Sequence, residues 1–559
     1  MSFDPQPLFF WYRVDPINKF MEAGAIPFWL VVSGMFGLVV LSISILNIFI
    51  IHRRAGGRVL VRETAGCISD LSSISLRRVF ALTKLTFLEA YRRKALAVFV
   101  VFGLLFMFAG WFMGGTGEIT NDQVKIYVSF VLRAITWLTL PVVVVLSCFG
   151  IPEDIRLRSI HTVVTKPARR LEIVLGRILG FSLIGTVVLV VMSAVGYVWI
   201  VRQIPKEAKE NGMLTCRVPS YGKLLFLDRS GLPVASGINV GDVWEFQSFI
   251  EGATAARAIW KFENVNELAL DADGNLNLEN RFSAFRSYKG DMKRQLFYDF
   301  KFTNPEKQVG PDHKPLSFTT EPREVNEFRG STDKIPRKLS RIGEANTYDL
   351  INDFVTASGS LTVEVSCLDR QQYIGLARPD LFIRKPDQPF WYGYAKATLG
   401  IELLLLLVSI ISVTASTFLK GPIAALTTTC LLLLGGEASH KFMDDLLIGL
   451  MRPEGFKGGG FLESIYRLVT HANLVTELPD NPAVLIMKNF DSMLTVMMYV
   501  FKSIIPRLKY FNMSDYVSNG FDVPWNESVV PSLVVTLGYF LPCVLLGYFA
   551  LRIRELESK

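Results

Sequence analysis

The sequence predicts a membrane α-helical bundle of about seven spans with an inserted extracytoplasmic all-β domain, sandwich- or jelly-roll-like. Three observations predict it. The first is bulk composition: 559 residues with a mean hydropathy of +0.34 and 50% hydrophobic residues. Ordinary soluble chains reach about 45–50% apolar only when glycine is counted. The second is distribution, because the apolar excess falls in runs of about 20 residues, enough to cross a bilayer core of roughly 30 Å. The third is contrast: residues 202–389 are charged and turn-rich, with short alternating runs.

Met1–Ala25 is mixed and aromatic-rich, and Ile26–Ile51 reads as a leading span. That run is too long for a secretory leader, and no small-residue cleavage site follows it. From Arg53 to Lys94 the chain carries ten Lys/Arg against three acids, which places this segment in the cytoplasm and the N-terminus outside. Within it, LRRVFALTKLTFLEAYRRK sets Val79, Leu82, Leu85 and Phe87 or Leu88 on one stripe. This is the pattern of an amphipathic helix lying along the inner leaflet, with an ordinary docked helix as the alternative.

Ala95–Gly114 then crosses outward, Gly115–Gln123 has no Lys or Arg and is an outside loop, and Val124–Gly150 returns. Ile173–Val201 goes out again. Between these two spans, Ile151–Gly180 holds Arg156, Arg158, Lys166, Arg169, Arg170 and Arg177. A compact charged loop at that place either receives a soluble partner or serves only as a topology signal.

The inserted domain, 202–389, contains LTCRV, KLLFL, VWEFQSFI, QLFYDFKF, SLTVEVSCL and DLFIRK as short strands, with turns at Ser230-Gly231 and Asp273-Gly274. Strands of this kind between polar turns suit a β-sandwich or jelly roll. Cys216 and Cys367 are the two cysteines inside it. In an extracytoplasmic domain they either pair or stay as two buried thiols.

Phe390–Leu419 returns inward through Phe390, Trp391, Tyr392 and Tyr394, an interfacial belt. Lys420-Gly421-Pro422 makes a tight cytoplasmic turn, and Ile423–Gly436 is a short outward span. Residues 437–530 are amphiphilic. Within them Ala483–Ile505 is apolar, but Lys488, Asp491 and Lys502 argue for an interfacial or re-entrant helix. Pro531–Ile553 is the last span, with a cytoplasmic tail. The expected divisions are therefore 1–52, 53–94, 95–201 (with the cytoplasmic loop at 151–172), 202–389, 390–436, 437–530 and 531–559.

The formal net charge of +8 does not call for nucleic acid, because membrane proteins gather Lys and Arg in their cytoplasmic loops. There is no GxxxxGK[ST], no GxSxG and no HExxH, so neither a phosphate-cradling loop nor a local catalytic or zinc pattern is present. If ATP powers this chain, ATP and Mg bind in another subunit.

Three stretches carry a resemblance: LTKLTFLEAYRRKALAVFVVF (82–102), EDIRLRSIHTVVTKPARRLEIVLGRILG (153–180) and ASTFLKGPIAAL (415–426). The chain resembles the permease subunit of type-two ATP-binding-cassette transporters, in the copper-enzyme-maturation and gliding-type branch. The resemblance covers about 82–201 and 391–553. It implies six of the spans in the type-two exporter arrangement and a homo- or heterodimer of permeases. It also implies a separate ATP-binding-cassette ATPase subunit that receives the 151–172 loop in a cleft. Glu153, Ile160, Val164, Lys166, Pro167, Arg170, Glu172 and Gly176 match the family's loop pattern, with Asp154 beside them, while Arg158 stands where members often have glycine. The location implied is the bacterial inner membrane, with the β-domain outside.

Two charges fall deep in predicted spans, Arg133 and Glu402. Their expected depths differ by roughly 5 Å at ~1.5 Å per residue, so an Arg133–Glu402 pair is one expectation. Snorkelling of Arg133 with a protonated Glu402 is the other. Met487, Met493, Met497 and Met498 admit a soft-metal reading, though flexible packing explains methionines at helical spacing more simply. The function expected is that of an exporter permease. The alternative is a non-transporting membrane scaffold or receptor whose β-domain binds an extracytoplasmic partner.

Overall fold

The computed structural model describes residues 13–14, 21–22, 34, 38, 42, 46, 74–92, 98, 101–105, 121–156, 169–206, 212–234, 236–238, 247–286, 295–309, 314–326, 330–340, 347–451, 460–473, 478 and 481–557. The leading span at Ile26–Ile51 and the crossing at Ala95–Gly114 lie largely outside these residues.

The described helices of ten residues or more are α1 (Leu76–Arg92), α2 (Asn121–Arg156), α3 (Arg170–Gln203), α4 (Phe390–Phe418), α5 (Gly421–Leu434), α6 (Glu437–Met451), α7 (Phe461–Thr470), α8 (Pro482–Ile504) and α9 (Val530–Glu557). Four stretches are long and apolar enough to cross a membrane: Asp122–Asp154, Arg170–Gln203, Phe390–Phe418 and Trp525–Leu551. Several of their hydroxyl side chains turn back onto their own helices. Thr136 donates to the Leu132 carbonyl at 2.9 Å, Ser182 to Ile178 at 2.8 Å and Thr536 to Ser532 at 2.9 Å. Such bonds satisfy polar atoms without water, as an apolar surrounding demands.

The short span expected at Ile423–Gly436 takes a different form. Fourteen residues of helix reach only about 21 Å, less than the roughly 30 Å of a bilayer core. At Gly435-Gly436 the helix axis turns by 62° into α6, so α5 and α6 together form a broken span or a re-entrant loop. Glycines allow the turn because they carry no side chain into its crowded inner side.

The chain divides into two compact units, and one of them comprises Leu214–Gly393 with Gly520–Asp522. The expected domain began at 202; instead α3 runs on to Gln203, and the β unit starts at Leu214. Its strands are β1 (Thr215–Tyr221), β2 (Lys223–Leu227), β3 (Pro233–Val234), β4 (Ser248–Glu251), β5 (Arg257–Phe262), β6 (Asn275–Asn280), β7 (Ser283–Arg286), β8 (Phe297–Val309), β9 (Lys314–Thr319), β10 (Arg323–Glu324), β11 (Ser331–Pro336), β12 (Lys338–Ser340), β13 (Thr347–Asp349), β14 (Leu361–Cys367), β15 (Gln372–Leu376) and β16 (Leu381–Pro389). The largest sheet runs β9-β8-β14-β5-β2-β3, with β10 also on β8. A second runs β11-β6-β16-β1, a third β4-β15-β7, and β12 pairs β13. All these pairings are antiparallel.

Alternation builds the core. Phe300 faces Val365 and Phe302 faces Val363 across β8 and β14, while Val363 faces Trp260 and Val365 faces Ala258 across β14 and β5. All of these are fully buried, and they join Leu276, Leu278, Ile335, Leu381 and Ile383 of the second sheet in one cluster. Lys301 and Glu364, one register step away, face the other side with their charges 3.6 Å apart. The predicted turns are real: Ser230-Gly231 and Asp273-Gly274 put glycine at φ +79° and +77°. Those are left-handed values that favour glycine.

The Cys216–Cys367 pairing does not form. Cys216 sits in β1 and Cys367 in β14, strands of different sheets, and both are buried free thiols. Burial pushes the Cys367 thiol up to about 11, which keeps it in the unreactive protonated form at neutral pH. In the folded full-length protein both thiols are expected to resist a maleimide, and both should react after unfolding without reductant. Mass spectrometry of the labelled peptides checks this; a peptide that labels only after reduction would restore the disulfide.

Candidate functional site

The site lies where α1, the C-terminal end of α2 and the N-terminal end of α3 meet. Helix α1 buries Val79, Thr83, Thr86 and Ala90, one narrow face at helical spacing. Thr83 and Thr86 donate their hydroxyls to Val79 and Leu82 carbonyls of their own helix, each at 2.9 Å. Their methyls are left to pack. Opposite them α3 presents Gly176 and Gly180, four residues apart. A Cβ on Gly176 would lie 2.5 Å from the Leu82 Cβ, and one on Gly180 would run into the Thr86 side chain. The glycines therefore permit a backbone approach that any larger residue would block, the small-xxx-small principle of membrane helix pairs.

Two buried polar groups close the junction. The Glu172 carboxylate is fully buried; one oxygen accepts the Arg169 N–H at 3.0 Å, and the other accepts the Ser75 N–H at 2.9 Å and Arg78 Nε at 3.0 Å. Ser75 is where α1 begins, since its carbonyl takes the Arg78 and Val79 amides. One carboxylate thus serves the N-terminal ends of two helices, where the backbone dipoles favour negative charge. One turn further along α3, Arg177 donates to Glu89 of α1 at 2.6 Å and to Asp154 of α2. Its guanidinium also lies 6.0 Å from the centre of the Phe181 ring, and that ring occupies the space a Cβ on Gly150 would need. A buried cation between two acids is stable only while both remain.

Of the loop residues singled out in the sequence, Asp154, Glu172 and Gly176 belong to this junction. Glu153 and Arg170 flank it and are partly buried. Ile160, Val164, Lys166 and Pro167 lie outside the described residues. Arg177, Glu89, Arg78, Ser75 and Gly180 were missed as site residues. Two signals pointed to them: the GxxxG spacing of Gly176 and Gly180, and Glu89 as the lone acid in a basic helix.

The stripe read from α1 is only partly buried. Val79 is buried, but Leu85 and Leu88 are exposed together with Leu76, Phe80 and Tyr91. The helix packs on α3 through its small residues and leaves its bulky ones open.

The expected Arg133–Glu402 pair is replaced by two other contacts. Arg133 lies 3.7 Å from Asp515 with its side chain 66% exposed, whereas Glu402 accepts the Thr186 hydroxyl at 2.7 Å. Direction around the axis separates them: Arg133 shares an exposed face of α2 with Ile126 and Trp137. Met493 and Met497 lie exposed on α8. Among the described residues, no group of three or more His, Cys, Asp or Glu is placed to hold a metal ion.

Filling the glycine seam should separate α1 from α3. Gly176→Leu and Gly180→Leu are expected to destabilise the full-length protein by about 1–3 kcal/mol each, the usual cost of overpacking. Thermal unfolding in mild detergent measures this, and wild-type stability in both would refute the close approach. No protein-family model, curated protein or solved structure matches this chain.

Proposed function

We propose that the chain is the permease subunit of an ATP-binding-cassette transporter, an exporter of the bacterial inner membrane. Its six-span part follows the type-two arrangement, and its β unit, sandwich-like, lies outside the cell. ATP and Mg bind in a separate ATPase subunit that seats on the 151–172 segment, and two permeases form the pore.

The observation that carries this reading is the locked junction. In sequence, residues 157–168 join the end of α2 to the start of α3. Both ends are tied to each other and to α1 through Arg177 and Glu172. A push on that segment would be delivered to two long apolar helices and the amphipathic helix together, rather than absorbed by one flexible end. The basic residues of the segment and the bulky face of α1 suit the cytoplasmic side of a bilayer, where anionic lipids attract Lys and Arg.

The test is purification of the full-length protein in mild detergent from its own host, with co-purifying ATPase identified and counted by mass. Glu153→Lys and Pro167→Gly are expected to lower the ATPase recovered severalfold at unchanged permease yield. Undiminished assembly and ATPase activity in both variants would overturn the reading, and so would the absence of any ATPase from the wild-type complex.

A further inference from the structure

The helices α7 and α8 partition their residues in reverse. Glu463, Arg467 and Asp491 are 8%, 7% and 5% exposed, while Phe461, Leu468 and Val469 of α7 are 68%, 77% and 72% exposed. On α8, Ile486, Val496 and Met497 are 71%, 58% and 66% exposed. A helix facing water shows its charges and hides its large apolar side chains. We propose that α7 and α8 form a hairpin embedded in lipid hydrocarbon, its charges turned into the seam and its apolar side chains against acyl chains.

Each charge at the seam has its partner. The Asp491 carboxylate accepts the Leu462 and Glu463 amides, both at 2.9 Å. These are N-terminal amides of α7, which in a hydrocarbon surrounding have no water to bond. Gly460 makes the approach possible, because a Cβ there would collide with that carboxylate. Arg467 pairs with Glu463 at 2.8 Å and donates to the Asn473 carbonyl at 2.6 Å. Lys502 pairs with Asp444 of α6. Ionisable groups inside a bilayer are tolerated when turned inward and paired in this way. Lys488 is exposed, but six residues from Pro482 it stands only about 9 Å along the helix, within reach of the interface by snorkelling.

The neighbours of α8 say what covers the outer faces. On one side is α6, part of the bent pair that is apolar enough to enter a membrane, and on the other Tyr539 of the last candidate span donates to the Ile504 carbonyl. The C-terminal end of α8 is thus joined to helices that themselves call for lipid. With 23 residues, α8 is about 34 Å long, close to the thickness of a bilayer core. Hydropathy alone overlooks it, because Lys488, Asp491 and Lys502 lower the average although Asp491 is hydrogen-bonded to two amides and Lys502 is paired with Asp444.

Collision accessibility in the full-length protein tests this. A spin label is attached through a genetically encoded keto amino acid, which spares the native cysteines, at positions 468, 486 and 497 in turn. The protein is placed in vesicles of phosphatidylethanolamine and phosphatidylglycerol. Position 190, exposed on α3, and position 268, exposed in the β unit, are the references for lipid and water. All three test sites should match position 190, with oxygen collisions severalfold above those with a water-soluble nickel chelate. Nickel access like that at position 268 would overturn the proposal in favour of water. Low access to both would overturn it in favour of a protein cover, a second copy included.

Discussion

One buried guanidinium sets the geometry at the base of the helical unit. Arg177 lies between Glu89 and Asp154, three side chains from three helices. Burying a lone cation costs several kcal/mol even after relaxation, and two acids offset it only where their oxygens meet its planar fork. That requirement fixes how far α1 sits from α3 and where α2 ends. Glu172 adds a second constraint one turn away, and Gly176 and Gly180 make both possible by letting the backbones come close. Without the glycines the acids could not reach; without the acids the close approach would leave a charge unsatisfied.

Much of the fold was legible because it follows from periodicity. Apolar runs of span length became α2, α3, α4 and α9, and the alternating runs became the strands whose inward residues form one core. Asp154, Glu172 and Gly176 stand in the basic stretch between two apolar runs that the sequence singles out, and the Ser230-Gly231 and Asp273-Gly274 turns were legible through glycine itself. What stayed hidden is angular or long-range. Arg133 and Glu402 have similar expected depths but meet different neighbours, Asp515 and Thr186, and rise per residue carries no information on direction around an axis. Glu89 and Arg177 are 88 residues apart, and no local pattern joins them. The stripe on α1 reads as a face along the inner leaflet with docking as the alternative, and nothing in it shows that Thr83, Thr86 and Ala90, small residues, make the close contact with α3.

The two units handle polar groups differently, and each does so as its surroundings dictate. In the β unit, charges alternate outward, and buried polar groups gather in networks such as that around Asp333. Asn280 and Tyr298 both donate to Asp333, at 2.7 and 2.8 Å, and burial lifts the Tyr298 hydroxyl above its ordinary range. In the helical unit, charged side chains turn inward at the α1–α3 junction and again in the α7–α8 seam. Several hydroxyls bond back to their own helices. Such inversion costs stability in water and is favoured in hydrocarbon, where an unpaired polar atom has no solvent to turn to.

The most direct measurement is the unfolding free energy of the full-length protein in detergent for Arg177→Met, and for the triple change Arg177→Met, Glu89→Leu and Asp154→Leu. The single change leaves two acids facing an apolar side chain and should cost about 3–5 kcal/mol, whereas replacing all three by apolar side chains should recover most of that loss. A strongly non-additive cycle of this kind is the signature of one interacting cluster. Near-neutral behaviour of Arg177→Met, or a triple variant whose loss equals the sum of its parts, would contradict the central place given to this junction.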